Sequence, residues 1–454
     1  MFCPQCGTAY QAGFKFCKHC GAVLPAAGTV AAASPEMAPP PPPPPPAPPL
    51  AYAAAGQQVY AAAGQYVYAA GQSVAAVTQQ AAVLAHNVQR THLMQNLSGR
   101  IQRLASTESL EGFSLKQMFS EVFKRRGQDE VEDYIMAGTS KTTPPIELVE
   151  TGWPKPWLFF RVLIGLLVAY VGLTFLYMRT NNTNCVPGMM LLGAFAVPLA
   201  TLTLFFELNT PRNVSLHALV KLFLFGAVVS LGVALLGYAL PIFDISEMEA
   251  GIVEEVAKLL TVVLVMRTAR YPYILNGILF GATVGAGFAC FETAGYALNM
   301  GLIPGLLPGL QGQQQVTPQA MHAGVVAMLQ LLRLRGIEAP LGHVAWTAIA
   351  AGAFWRVKRD KPSSVSMVFD HRFLKAFLIP VCLHAIWDAP WQLPFAGNQI
   401  ITGLISWYVV FGLVQQGLRQ VQAEQKAQLQ TTLAGIESGA GPVGAVLTPV
   451  AAAV

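Results

Sequence analysis

The chain has 454 residues, 54% of them hydrophobic and 11% charged, with a net charge of +5 and a mean hydropathy of +0.47. A soluble globular domain carries about 25% charged residues, so this composition excludes an ordinary soluble protein. Several apolar stretches approach the roughly 20 residues that span a bilayer as a helix, and the expectation is an all-α polytopic membrane protein with about eight transmembrane helices. The basic residues fall mostly in loops, where they orient helices, and no nucleic-acid partner is expected.

The first 150 residues hold no apolar run of membrane length. The N-terminus also lacks the basic start, apolar stretch and cleavage site of a secretory signal. "CPQCG" and "CKHCG" supply Cys3, Cys6, Cys17 and Cys20, two C-x2-C knuckles each followed by a turn-permitting glycine, Gly7 or Gly21. Four thiolates suit a tetrahedral Zn²⁺. The alternative, two disulfides in a secreted domain, has no export signal behind it. His19 lies between two of the ligands, but four cysteines already fill the site, so the zinc expected here is structural. A piece this short cannot build a core without metal. The expected organisation is a small zinc ribbon at 1–25, a disordered low-complexity linker rich in Pro, Ala, Tyr and Gln at 26–108, a cytosolic helical segment at 109–150, a transmembrane domain at 151–420 and a tail at 421–454. Within the linker, Pro39 to Pro46 are all proline, a stiff polyproline II spacer. In the helical segment Phe113, Leu115, Met118, Phe119, Val122 and Phe123 recur at helical spacing, as for packing on itself or on the membrane surface.

Eight spans are expected at 156–178, 187–207, 215–239, 249–267, 273–299, 339–356, 373–393 and 398–417. Lys155, Arg161, Arg212, Arg267, Arg270 and the run from Arg356 to Lys375 flank one set of connections. The third-to-fourth connection and residues 301–315 carry no Lys or Arg. The charge rule then puts both termini in the cytoplasm. Residues 321–335 are expected as a helix lying in the outer interface, with Pro340 in the first turn of the sixth span and Arg333 and Arg335 outside. The remaining cysteines, Cys185, Cys290 and Cys382, are expected as small buried apolar residues.

The spans carry few ionisable groups. Glu254, Glu255 and Lys258 lie in the fourth, Glu292 in the fifth, His343 in the sixth, and His384 and Asp388 in the seventh. At about 1.5 Å per residue, the acids and histidines all fall in the outer half of the bilayer. Each charged group at a helix centre costs about 2.5–3.5 kcal/mol, so scattered carboxylates would accumulate cost without return. Gathered round a wet cavity they can share protons, pair with Lys258 or hold a metal. Lys258 is within one turn of both glutamates, and His384 and Asp388 are four apart on one face. Gly277, Gly281 and Gly285 form a small-xxx-small stripe that would press Glu292 toward a neighbouring helix. Plainer roles stay open: Glu255 and Lys258 as a structural ion pair, His343 as an interfacial residue, and Glu207 and His217 as surface or packing residues.

The motifs resemble a known family. "EEVAK" (Glu254, Glu255, Lys258) matches EExxK, "FACFE" (Phe288 to Glu292) matches FxxxE, and "HAIWD" (His384 to Asp388) matches HxxxD. In this order on successive membrane helices they resemble the PrsW family of intramembrane proteases, related to the CAAX prenyl and bacteriocin-immunity proteases with their EExxxR, FxxxH and HxxxN variants. "GHVAWTA" (342–348) is similar to that family's histidine-bearing helix, and the cysteine knuckles resemble the zinc ribbons at the N-termini of many bacterial membrane proteins. The resemblance implies an intramembrane endopeptidase in the bacterial cytoplasmic membrane. It would cleave a membrane-anchored protein on the extracytoplasmic side, as in regulated proteolysis of anchored regulators.

Glu254 is then expected as general base, its carboxylate tuned by a low-dielectric setting. Glu255 belongs to the same catalytic set. His384 would stabilise the oxyanion or pass a proton to the leaving amine, with Asp388 or Glu292 orienting it and Lys258, Phe288 and His343 in support. Two versions remain: one with a catalytic divalent metal, Zn²⁺ first, on Glu292, His384 and one of Asp388 or Glu254, and one without metal. The expected partners are the bilayer, the anchored substrate and a cytosolic protein bound by the ribbon. The competing readings are a transporter or proton relay, and a non-enzymatic scaffold with the ribbon as recruitment module.

Overall fold

The structure is a computed structural model, and it describes residues 92–108, 110–240, 247–304 and 317–437. The described residues all lie within the unit 70–454. The four ribbon cysteines, the proline tract and the end of the tail lie outside them. Among the described residues the regular structure is helical, with no strand. The elements are α1 (His92–Ala105), α2 (Leu115–Met118), α3 (Gln128–Ile135), α4 (Leu158–Thr180), α5 (Cys185–Leu208), α6 (Leu216–Tyr238), α7 (Glu247–Val265), α8 (Ile274–Tyr296), α9 (Pro318–Glu338), α10 (His343–Lys358), α11 (His371–Trp387) and α12 (Gly397–Glu437).

A helix stands at each of the eight expected spans, but five among the described residues are long and apolar enough to cross a membrane: α4, α5, α6, α8 with its extension to Leu302, and α12 with the turn before it. The others fall short for separate reasons. α7 is interrupted by Glu254, Glu255 and Lys258. α10 and α11 have 16 and 17 residues, about 24–26 Å at 1.5 Å per residue, against a hydrocarbon core of about 30 Å.

The deficit in α10 is made up by α9. A helix lying flat in the interface would cross α5 and α8 at a single point. Instead α9 runs lengthwise along both. Leu332 lies against Gly193 of α5, Gly336 against Val197 of α5, and Met328 against Gly301 beyond α8. Arg335 reaches Thr293. The track continues past a break at 339–342, with His343 against Gly285, Thr347 against Gly281 and Trp355 against Gly277. Thus α9 and α10 form one interrupted path antiparallel to α8. An interrupted helix is tolerated at membrane depth where its free backbone groups are buried in protein or face a wet cavity.

α8 is the central helix, and nearly every residue from Ile274 to Cys290 is buried. The expected glycine stripe is the reason α10 comes so close. A Cβ on Gly281 would lie 2.1 Å from the Thr347 carbonyl oxygen, and one on Gly285 would lie 2.4 Å from that of His343. Cys185 and Cys290 are buried as expected, whereas Cys382 is exposed on α11.

The segment at 110–150 forms two short α-helices and turns, with Gly127 opening α3. It packs on the bundle. Phe113 lies 4.6 Å from Trp153 and 4.7 Å from Phe411 on α12. Arg356 on α10 donates to the carbonyls of Ala105 (3.1 Å) and Ser106 (2.6 Å). α12 continues through Glu437, well past the expected end of the last span.

Glu207 is neither a surface nor a passive packing residue. It is 5% exposed, and its carboxylate accepts from the backbone N–H groups of Trp157, Leu158 and Phe159 at 2.7, 2.8 and 2.8 Å. These are the orphan donors at the start of α4, so a remote carboxylate caps that helix. Burial, with the Glu207 carboxylate beside it, pushes the Tyr134 phenol above its ordinary value.

Candidate active site

α7 supplies the acidic half of the site. Its one-turn spacing of Glu254, Glu255 and Lys258 turns all three side chains inward, and none is more than 7% exposed. The Lys258 ammonium donates to Glu255 Oε1 at 2.8 Å and Glu254 Oε2 at 3.1 Å. It also lies 2.8 Å from His343 Nδ1 and 4.2 Å from the centroid of the Phe288 ring. A buried ammonium between two carboxylates, an imidazole and an aromatic face is compensated on every side.

Two other helices bring the histidines. His343 opens α10 directly after the break, and its Nε2 lies 3.0 Å from Glu292 Oε2. His384 lies near the end of α11, with Nδ1 3.0 Å from Glu255 Oε1 and Nε2 3.1 Å from Asp388 Oδ2. Each imidazole also stands 3.8 Å from Glu254 Oε2. The two rings are 5.0 Å apart. Trp346, one turn into α10, stacks on His384 at 4.3 Å and meets His343 edge-on at 5.4 Å.

All five expected catalytic side chains, with Lys258, Phe288 and His343, therefore converge. Their pairings sort the two acids that were expected to orient His384. Glu292 is paired with Arg335 and His343, while Asp388 is paired with His384. The donor atoms that lie within 4.8 Å of one another belong to Glu254, His343 and His384. One carboxylate and two imidazoles match a common catalytic zinc set. The second nitrogen of each ring faces a further carboxylate, Glu292 or Glu255, as metal-binding histidines require. The residues thus fit a divalent metal in kind, number and support, and the Lys258 ammonium stands 2.8 Å from His343 Nδ1 where such an ion would bind.

A cavity of about 1040 Å³ adjoins this centre. Glu254, Glu292, His343, His384 and Asp388 line its polar wall, and Leu231, Ala234 and Leu235 of α6 an apolar one. Three contributors were not singled out as site residues in the sequence. Tyr238, at the end of α6, donates to Glu254 Oε1 at 2.7 Å. Arg335, expected outside, turns in to pair with Glu292. Trp346 is held by a bond from Nε1 to Ser406 Oγ on α12 at 3.1 Å.

A multi-pass helical bundle that buries carboxylates, two imidazoles and a metal-compatible donor set beside a cavity is the setting an intramembrane hydrolase needs. Residues 214–414 match the model described as PrsW family intramembrane metalloprotease, and residues 2–24 match a zinc-ribbon domain. The chain carries a PrsW family protease domain behind an N-terminal zinc ribbon. It is an integral membrane protein and a peptide hydrolase whose substrate is a membrane protein. No curated protein and no solved structure matches it.

Proposed function

We propose that this protein cleaves a membrane-anchored protein on the extracytoplasmic side of a bacterial cytoplasmic membrane, at the centre built by Glu254, His343 and His384. The observation that carries this reading is the meeting of these three side chains, from three helices, at the wall of a cavity. Glu254 takes the proton of the attacking water. Its Oε2 faces both imidazoles, and its Oε1 is steadied by Tyr238. His384, held between Glu255 and Asp388, gives a proton to the leaving amine. Glu292 fixes the ring of His343. In the alternative version Glu254, His343 and His384 would instead hold a divalent ion, Zn²⁺ first, which would acidify water and polarise the scissile carbonyl, these three side chains then acting as ligands. Ligand or base, the Glu254 carboxylate is needed either way.

The basic residues support the sidedness. Arg267, Arg270 and the cluster from Arg356 to Arg359 lie at the start of α8 and the end of α10, whereas the cavity is lined from the far end of α8. Both termini are then cytoplasmic, and the ribbon on its proline spacer recruits a cytosolic partner, as suits regulated proteolysis of anchored regulators. The test is to incubate the purified full-length protein in lipid nanodiscs with a panel of single-span membrane proteins. Cleavage by the wild type, lost with chelator and in Glu254→Gln, is the expected result. Undiminished cleavage by Glu254→Gln would end the proposal.

A further inference from the structure

We propose that Arg335 is a positioning residue of this centre, acting through Glu292 on His343; the inference rests on the protease reading. Arg335 ends α9 just before the break, in the cavity wall. Its guanidinium is clamped on little more than one turn of α8. It pairs with the Glu292 carboxylate, donates from Nε to Thr293 Oγ1 at 3.0 Å, and lies 4.7 Å from the centroid of the Tyr296 ring. Among the described residues it is the one Lys or Arg lining the cavity, against Glu254, Glu292, Glu338 and Asp388.

The clamp bears on one atom. Glu292 Oε2, which Arg335 holds, is the oxygen 3.0 Å from His343 Nε2. A carboxylate only accepts, so Nε2 carries the proton. On the other side of the ring the Lys258 ammonium, which only donates, lies 2.8 Å from Nδ1. Nδ1 therefore keeps its lone pair, which accepts from Lys258. Which nitrogen of a histidine is free is set by the bond the other makes, and here that bond is set by Arg335. Packing alone does not call for the charge. α9 is already seated by Val325, Met328, Leu329 and Leu332 in an apolar cluster, and an arginine at membrane depth is costly. Without it, Glu292 would swing freely among other carboxylates and the imidazole could turn.

The test uses full-length protein with isotope-labelled histidine in nanodiscs, the His343 nitrogen signals being assigned by their loss in His343→Gln. The wild type should show the Nε2–H tautomer. Arg335→Met, apolar and of similar length, should show a mixture of both tautomers, and its kcat on the cleaved reporters should fall roughly 10–100-fold, as for other supporting groups around a metal, with little change in KM. Arg335→Lys keeps the charge but reaches only one of Glu292 and Thr293, and should fall between. A His343 signal unchanged in Arg335→Met overturns the proposal, as does an unchanged kcat. Should the Met variant not fold, a wild-type signal in Arg335→Lys does the same. The tautomer is read without any substrate, so failure of the protease reading, shown by an active Glu254→Gln, is a separate result.

Discussion

The bundle buries two polar clusters, one toward each end of α8, and they differ in kind. At the start of α8, Asn276 bonds to Asn209 and Asn213 at 2.8 and 2.6 Å, and nearby Glu207 closes on three backbone N–H groups. Toward the other end, among the described residues, Glu254 bonds to side chains that can themselves gain or lose a proton, Tyr238 and Lys258, and faces two imidazoles in the wall of a cavity. Glu207 and Glu254 are equally hidden, at 5% and 7% exposure. Depth in an apolar bundle therefore does not mark a site. The partners do: backbone amides turn a carboxylate into a cap, and exchangeable side chains beside open volume turn it into chemistry.

The sharpest way to break this contrast is to remove one charge from each cluster. Glu254→Gln should lower kcat by roughly 10²–10⁴-fold, the range for a general base, while the thermal unfolding of the purified protein hardly moves, because Lys258 keeps Glu255. Glu207→Leu should do the reverse. It orphans the first N–H groups of α4 and should cost about 1.5–3 kcal/mol, the worth of bonds to a charged group. Its kcat per folded molecule should stay near wild type. A Glu207 variant that is stable but inactive would erase the distinction.

A third, smaller effect tests the close approach that seats His343. Gly281→Ala forces a methyl to 2.1 Å from the Thr347 carbonyl oxygen, which is backbone and cannot move aside alone. The expected loss is about 1–3 kcal/mol, as for overpacked cores, read as a lower unfolding temperature. Gly295→Ala, with nothing within 4 Å, is the matched control and should be neutral.

Much of this was readable before any coordinates. Charge in apolar helices is costly, so Glu254, Glu292, His384 and Asp388 stood out, and one-turn spacing tied Lys258 to its glutamates. The glycine stripe announced a close helix contact on α8, and the structure shows that α10 makes it. What was hidden depends on partners far along the chain. Arg335 looked like an outer-surface charge because its partner is 43 residues away. Glu207 looked incidental because the helix it caps begins 49 residues earlier. Averaged hydropathy also could not see that α9 and α10 share one path, since each half alone is too short or too polar to register as a span.

The least effect is expected at the far support of the histidines, and it carries the comparison to its finest grain. Trp346 is 1% exposed, stacked on His384, and its indole N–H has Ser406 as its partner. Ser406 in turn donates to the Thr402 carbonyl on its own helix. Ser406→Ala leaves a buried N–H without an acceptor, a penalty of about 1–3 kcal/mol at most, and leaves both imidazoles in contact with the same ring. If the stack alone orients His384, kcat should drop no more than about twofold, less than 0.5 kcal/mol in barrier. Trp346→Leu removes the stack and should cost more in kcat than Ser406→Ala does, at similar stability. Were the serine change the more damaging to turnover, the anchoring of the indole to α12, and not the aromatic contact, would be what holds the site in register.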